Sequence, residues 1–95
     1  MKYELEIKEE ANLEMIEAYL YYEKKQIGLG ERFLTHLDIY MDRIQTNPEH
    51  YPAKRPPYRE AWIKKYPYLV VYEIIENKVI IYSVFNTWQD PKKKP

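Results

Sequence analysis

The residues that could do chemistry cluster between positions 54 and 65. Lys54, Arg55, Arg59, Lys64 and Lys65 are candidate cations, and Glu60 lies among them. RNA cleavage without a metal needs a base for the 2′-hydroxyl, an acid for the leaving oxygen and cations for the phosphorane. Lys54, Arg55 and Arg59 are therefore the candidate catalytic residues, with Glu60 and the tyrosines as candidate acid–base groups. Arg59, beside Tyr58, could hold a phosphate through its fork of donors. The structural alternative for Arg59 is a surface salt bridge to Glu60 or Glu73. His36 and His50 are the only histidines, and there is no cysteine. Neither histidine has a second His or Cys at ligand spacing, so neither a metal nor another cofactor is expected. There is no Gly-rich phosphate loop and no defensible Ser/His/Asp set.

Eleven tyrosines and two tryptophans could stack on bases if a basic sheet displayed them. An aromatic on a strand equally fits a half-buried pleated surface, the reading taken for Tyr68, Tyr72 and Tyr82. Trp88 lies past the last predicted strand and reads as an interface or cleft residue. Lys92-Lys93-Lys94 reads as a solvated basic tail, residues 92–95, or as an attractor of anionic partners.

At 95 residues the chain has the length of one domain, here 1–91. Hydrophobic residues make up 45% and charged residues 32%, an ordinary globular balance. Without cysteine, disulfides and thiolate metal sites are excluded. No apolar run approaches the roughly 20 residues of a membrane span, and no signal peptide is visible, so a cytoplasmic protein with no membrane partner is expected. Formal net charge is zero but unevenly placed. Residues 1–50 hold six Lys/Arg against eleven Asp/Glu, giving −5; residues 51–95 hold nine against four, giving +5. That split fits either a solvated acidic helix surface beside a basic tail or a basic working face that meets an anionic partner.

The positioning elements follow from periodicity. Residues 2–7 alternate, with Tyr3, Leu5 and Ile7 on one side, as in a half-buried strand. Residues 9–26 read as a helix whose apolar face is Leu13, Ile16 and Leu20. Gly28-Leu29-Gly30 stops it and starts a second helix over 29–46, with Phe33, Leu37, Tyr40 and Ile44 stepping by four, three and four. Asn47-Pro48 ends that helix. A proline-rich loop leads to a strand over 58–64. Two longer strands, 68–75 and 79–85, flank a turn at Glu76-Asn77-Lys78, where Asn77 suits a positive φ. The order β-α-α-β-β-β predicts an α+β fold: a helical hairpin packed on an antiparallel sheet.

These features together resemble the RelE/ParE superfamily of bacterial type II toxin–antitoxin toxins, ParE-like members above all. The resemblance rests on the N-terminal strand, Tyr21-Tyr22, Gly28-Leu29-Gly30-Glu31-Arg32-Phe33, Asn47-Pro48, Arg59, Tyr66-Pro67-Tyr68, Tyr72 and Asp90-Pro91, and it covers nearly the whole chain. It implies a toxin neutralised by a cognate antitoxin. ParE-like relatives poison DNA gyrase; RelE-like relatives cleave mRNA on the ribosome. Many relatives close the last strand with a His and, three residues on, an Arg. Here Asn86 and Gln89 occupy those places. Asn cannot shuttle a proton near neutral pH, and Gln brings no charge to a phosphate. The pattern favours a binding inhibitor or a degenerate antitoxin-binding member over a nuclease. Arg59, Lys64, Lys65, Asn86, Trp88 and Gln89 are the residues expected to contact the target or a phosphate.

Overall fold

The computed structural model describes residues 2–89, 92 and 94; Asp90-Pro91 and Lys93 lie outside the described residues. The order is β1 (Glu4–Ile7), α1 (Glu9–Lys25), α2 (Leu29–Thr46), a 3-10 turn (Pro48–His50), β2 (Tyr58–Trp62), β3 (Tyr68–Ile75) and β4 (Lys78–Asn86). No described helix is long and apolar enough to cross a membrane.

The four strands form one sheet in the order β1-β4-β3-β2. The two C-terminal hairpins are antiparallel, because their connections are too short for a crossover. The sheet as a whole is mixed, since β1 lies parallel to β4, from Glu4 opposite Lys78 to Ile7 opposite Ile81. Both helices separate β1 from the other strands, so no tight turn fixes its direction. The β3–β4 turn also differs from expectation. Ile75 pairs with Lys78, and the positive φ of 56° falls on Glu76, not Asn77. Positive φ at the first turn residue alone is the pattern of a type II′ hairpin. At the other hairpin β2 ends at Trp62, and the turn carries Lys65 at φ 77°.

The inner face of α2 is as the spacing predicts: Phe33, Leu37, Tyr40 and Ile44 are all buried. The face of α1 is not. Leu13, Ile16 and Leu20 are 56%, 47% and 57% exposed. The core side of α1 is instead Ala11, Met15, Ala18 and Tyr22, stepping by four, three and four. Two alanines on that stripe let α1 come close to β4, and the larger aliphatic side chains turn outward.

On the sheet, Tyr68, Val70 and Tyr72 of β3 face the helices, as do Val79 and Ile81 of β4. Val71 pairs with Ser83 but Tyr72 with Ile81, so Tyr82 is an extra residue on β4. That bulge shifts the alternation, and Val84 rather than Ser83 joins the core beyond it. Leu69, Val71 and Phe85 make a smaller buried cluster on the opposite side, with Tyr58 against it.

Leu37, at 2% exposure, and Leu13 are a matched pair for a test. Leu37→Ala is expected to cost about 2–5 kcal/mol in urea unfolding, and Leu13→Ala less than about 1 kcal/mol. Comparable losses would mean that α1 buries its large aliphatic face after all.

Candidate functional site

Beyond the last strand the chain folds back on itself. The Asn86 side-chain carbonyl accepts the Trp88 N–H at 2.9 Å, and the Asn86 backbone carbonyl accepts the Gln89 N–H at 3.0 Å. The Thr87 N–H donates to the Pro67 carbonyl at 2.8 Å, tying this turn to the start of β3. Asn86 is thus a turn-former, a job for which its short amide is suited. Trp88 is left 75% exposed.

Asn86, Trp88 and Gln89 line one cleft of about 290 Å³ between the strand end and α1. The other wall holds Glu14, Glu17, Tyr21 and Tyr22 of α1, with Tyr68 beside them. The first three were legible as candidates from the sequence; the glutamates of α1 were not. A usable signal was present: Glu10, Glu14, Glu17 and Tyr21 also step by four, three and four, so they share a face.

Glu14 has a structural duty there. Its Oε1 accepts the Ser83 hydroxyl at 2.8 Å and the Val84 N–H at 3.0 Å. β1 stops at Ile7, opposite Ile81, so β4 has no strand partner on this edge farther along. Glu14 supplies the missing acceptor. Partial burial pushes its carboxyl above the usual range, and repulsion from Glu10 and Glu17 adds to that, while the two hydrogen bonds oppose it.

The candidate cations lie elsewhere. Arg59 sits on edge strand β2, opposite Tyr72, with β3 between it and β4. Its guanidinium donates to the Tyr51 carbonyl at 2.7 Å and the Glu49 carbonyl at 3.3 Å. It binds backbone rather than Glu60 or Glu73, and so holds the loop before β2. Tyr72 supports the same region, its buried hydroxyl donating to the Pro48 carbonyl at 2.5 Å. Lys54, Lys64 and Lys65 are exposed. Lys64 and Lys65 occupy the β2–β3 turn, at the same end of the sheet as Asn86. Glu60 is 4% exposed and paired with Lys94 at 2.8 Å and Arg55 at 3.5 Å. Lys94 is therefore bound to the sheet rather than freely solvated.

The remaining acid–base candidates are also engaged. Burial pushes Tyr68 up to about 12. A hydrogen bond to Glu73, at 2.7 Å, pushes Tyr82 up to about 12. Burial raises Tyr72 as well. These phenols keep their protons at neutral pH and serve as donors, not bases. His36 Nε2 lies 2.9 Å from the Lys64 carbonyl, which makes it the N–H donor, and its ring packs against Tyr40 and Tyr66. His50 is exposed against Tyr51. Among the described residues, no group of three or more His, Cys, Asp or Glu is placed to hold a metal.

A helical hairpin on one face of a mixed four-stranded sheet, with an aromatic cleft at the end of the last strand, makes this a small α+β protein. The family model described as "ParE toxin of type II toxin-antitoxin system, parDE" matches residues 5–91, and the chain belongs to this family. In fold it is similar to a solved chain from "Chromosomal ParDE TA system from P. aeruginosa", with a TM-score of 0.79 and 11% identity over 90% of this chain and 96% of the other. No curated protein matches the chain.

Two substitutions test this geometry. Arg59→Ala removes both contacts to loop carbonyls and is expected to cost about 1.5–3 kcal/mol in urea unfolding; no change would free Arg59 for another role. Glu14→Gln keeps an acceptor for Ser83 and Val84 but removes the crowded charge. A carboxyl raised on folding binds protons more tightly in the folded state, so its stabilising contribution is present at low pH and fades as pH rises. The Gln variant should therefore match the parent near pH 3 and exceed it at pH 7. The gap should open as pH climbs through the 4.5 of a free carboxyl and above it. A Gln variant less stable at pH 7 would show that the charge itself is needed.

Proposed function

We propose that this protein is the toxin of a type II pair that acts by binding its target, DNA gyrase, and is neutralised by a cognate antitoxin. The observation that carries the reading is the strand end. Asn86 and Gln89 stand where acid–base and cationic groups would serve a nuclease, and Asn86 is spent on a turn. Arg59 and Glu60, the best-placed alternatives, are held by loop carbonyls and by Lys94 and Arg55. Lys64, Lys65, Asn86, Trp88 and Gln89 are left to contact the target, with Arg59 supporting the loop at the sheet edge. The reading places the protein in the cytoplasm, where both partners reside.

Antitoxin binding is supported by the outward stripe of Leu13, Ile16 and Leu20, contiguous apolar surface on a helix. Such surface on a small protein marks an interaction site, and an amphipathic segment laid along it would bury it.

Three assays on the pure protein decide between mechanisms. The reading expects inhibition of gyrase supercoiling, growth arrest on induction that co-expressed antitoxin relieves, and no cleavage of mRNA with or without programmed ribosomes. Inhibition should weaken as salt rises, because exposed lysine charge is screened. Specific mRNA cleavage that survives a chelator would overturn it in favour of a ribosome-dependent nuclease. Antitoxin binding with no response in any toxicity assay would leave a degenerate, antitoxin-binding member.

A further inference from the structure

The cleft at the strand end is acidic, although the half of the chain that carries β4 is basic. Eleven of the described residues line it, two of them glutamates and none a Lys, Arg or His. Glu17 has no hydrogen-bond or ion-pair partner among the described residues, and Glu14 has only uncharged donors. The remaining walls are largely aromatic: Tyr21, Tyr22, Tyr68 and Trp88. Tyr21 already carries one cation, the Lys25 ammonium 4.8 Å from its ring centre. The Trp88 indole, the most exposed aromatic of the cleft, carries none among the described residues. Two neighbouring carboxylates with no cation among the described lining residues, beside an exposed indole, are complementary to a flat organic cation. An ion pair and a cation–π contact would form together. A guanidinium fits better than an ammonium, because its plane stacks on indole while its edge reaches carboxylates.

We propose that this cleft receives an arginine side chain presented by a partner protein, with Glu17 and Glu14 supplying the charge and Trp88 the stacking face. The partner's identity as the antitoxin rests on the toxin–antitoxin reading above; the chemistry of the cleft does not. Arginine entry would also compensate Glu14 without displacing its bonds to Ser83 and Val84, since the second oxygen of that carboxylate is not used in them. The same pocket would reject acidic segments, which the turn lysines Lys64 and Lys65 at that end of the sheet would otherwise attract.

The test uses the intact protein and a small probe. N-acetyl-arginine methylamide is titrated into isotope-labelled protein, with N-acetyl-norleucine methylamide as the uncharged control. The Trp88 indole N–H and the Val84 amide are followed by NMR. The proposal expects saturable shifts at both with the arginine probe and none with norleucine. Glu17→Gln and Trp88→Ala should each weaken binding about two- to fivefold. Both positions are exposed, and unchanged backbone spectra would verify folding. Absence of shifts, equal shifts from the two probes, or shifts unaltered in both variants would overturn it. Toxicity and antitoxin binding are scored separately. A silent cleft in a toxic protein would sink this inference alone, and an occupied cleft in a non-toxic protein would sink the functional reading alone.

Discussion

The strand β4 must satisfy two edges, and most of the fold is arranged around that requirement. One edge is paired with β3 along its whole length. The other is shared. β1 covers it in parallel as far as Ile81, where the Lys8 N–H still donates to the Ile81 carbonyl. Past that point the bulge at Tyr82 turns the strand, and α1 takes over, with Glu14 reaching in to accept from Ser83 and Val84. An unpaired N–H here would cost about 1–3 kcal/mol if shut away from water. The small residues Ala11 and Ala18 are what allow α1 to sit near enough to supply the acceptor. The consequence for function is direct: the charged, aromatic face of α1 ends up against the end of β4, and the cleft is the space between them.

A second constraint fixes the hairpin above that cleft. The Glu23 carboxylate accepts the Gly28 and Gly30 N–H groups at 3.0 and 2.9 Å, capping α2 from the end of α1. Gly28 adopts φ 96°, and a Cβ on Gly30 would lie 2.7 Å from the Tyr19 carbonyl oxygen. Both glycines are therefore required by geometry. The close crossing brings Tyr22 and Phe33 into a stack at 5.3 Å, and both meet Tyr66 and Tyr68. Tyr22, the Gly-Leu-Gly turn, Phe33 and Tyr-Pro-Tyr, scattered as family signals along the sequence, are one aromatic cluster in space.

The sequence was most informative where one interaction dominates. The limits of α2 follow from its periodicity and from Gly28 and Pro48, and those of β3 and β4 from two apolar runs on either side of a short polar break. The reading failed where two faces compete. On α1, Leu13, Ile16 and Leu20 are the more hydrophobic stripe, but hydrophobicity alone does not say that a helix beside a strand edge needs small residues inward. The direction of β1 was hidden because four residues with alternating polarity pair equally well either way. At the site, Asn86 and Gln89 were marked by the family resemblance and Trp88 by its place past the last strand. Glu14 and Glu17 look in the sequence like helix-surface charge, which is what most such glutamates are. The candidate cations do not gather around the cleft: Arg59 serves a loop, and of these candidates Lys64 and Lys65 share that end of the sheet.

The central claim is that Glu14 completes the exposed edge of β4 and thereby joins fold to site. Native-state hydrogen exchange of the Val84 amide tests it most directly. In the parent protein this amide should exchange as slowly as the β4 amides bonded to β3, because opening it requires global unfolding. In Glu14→Ala it should exchange much faster while those neighbours, measured relative to the variant's own global stability, stay protected. A Val84 amide that exchanges rapidly in the parent, or that is indifferent to Glu14, would contradict the account.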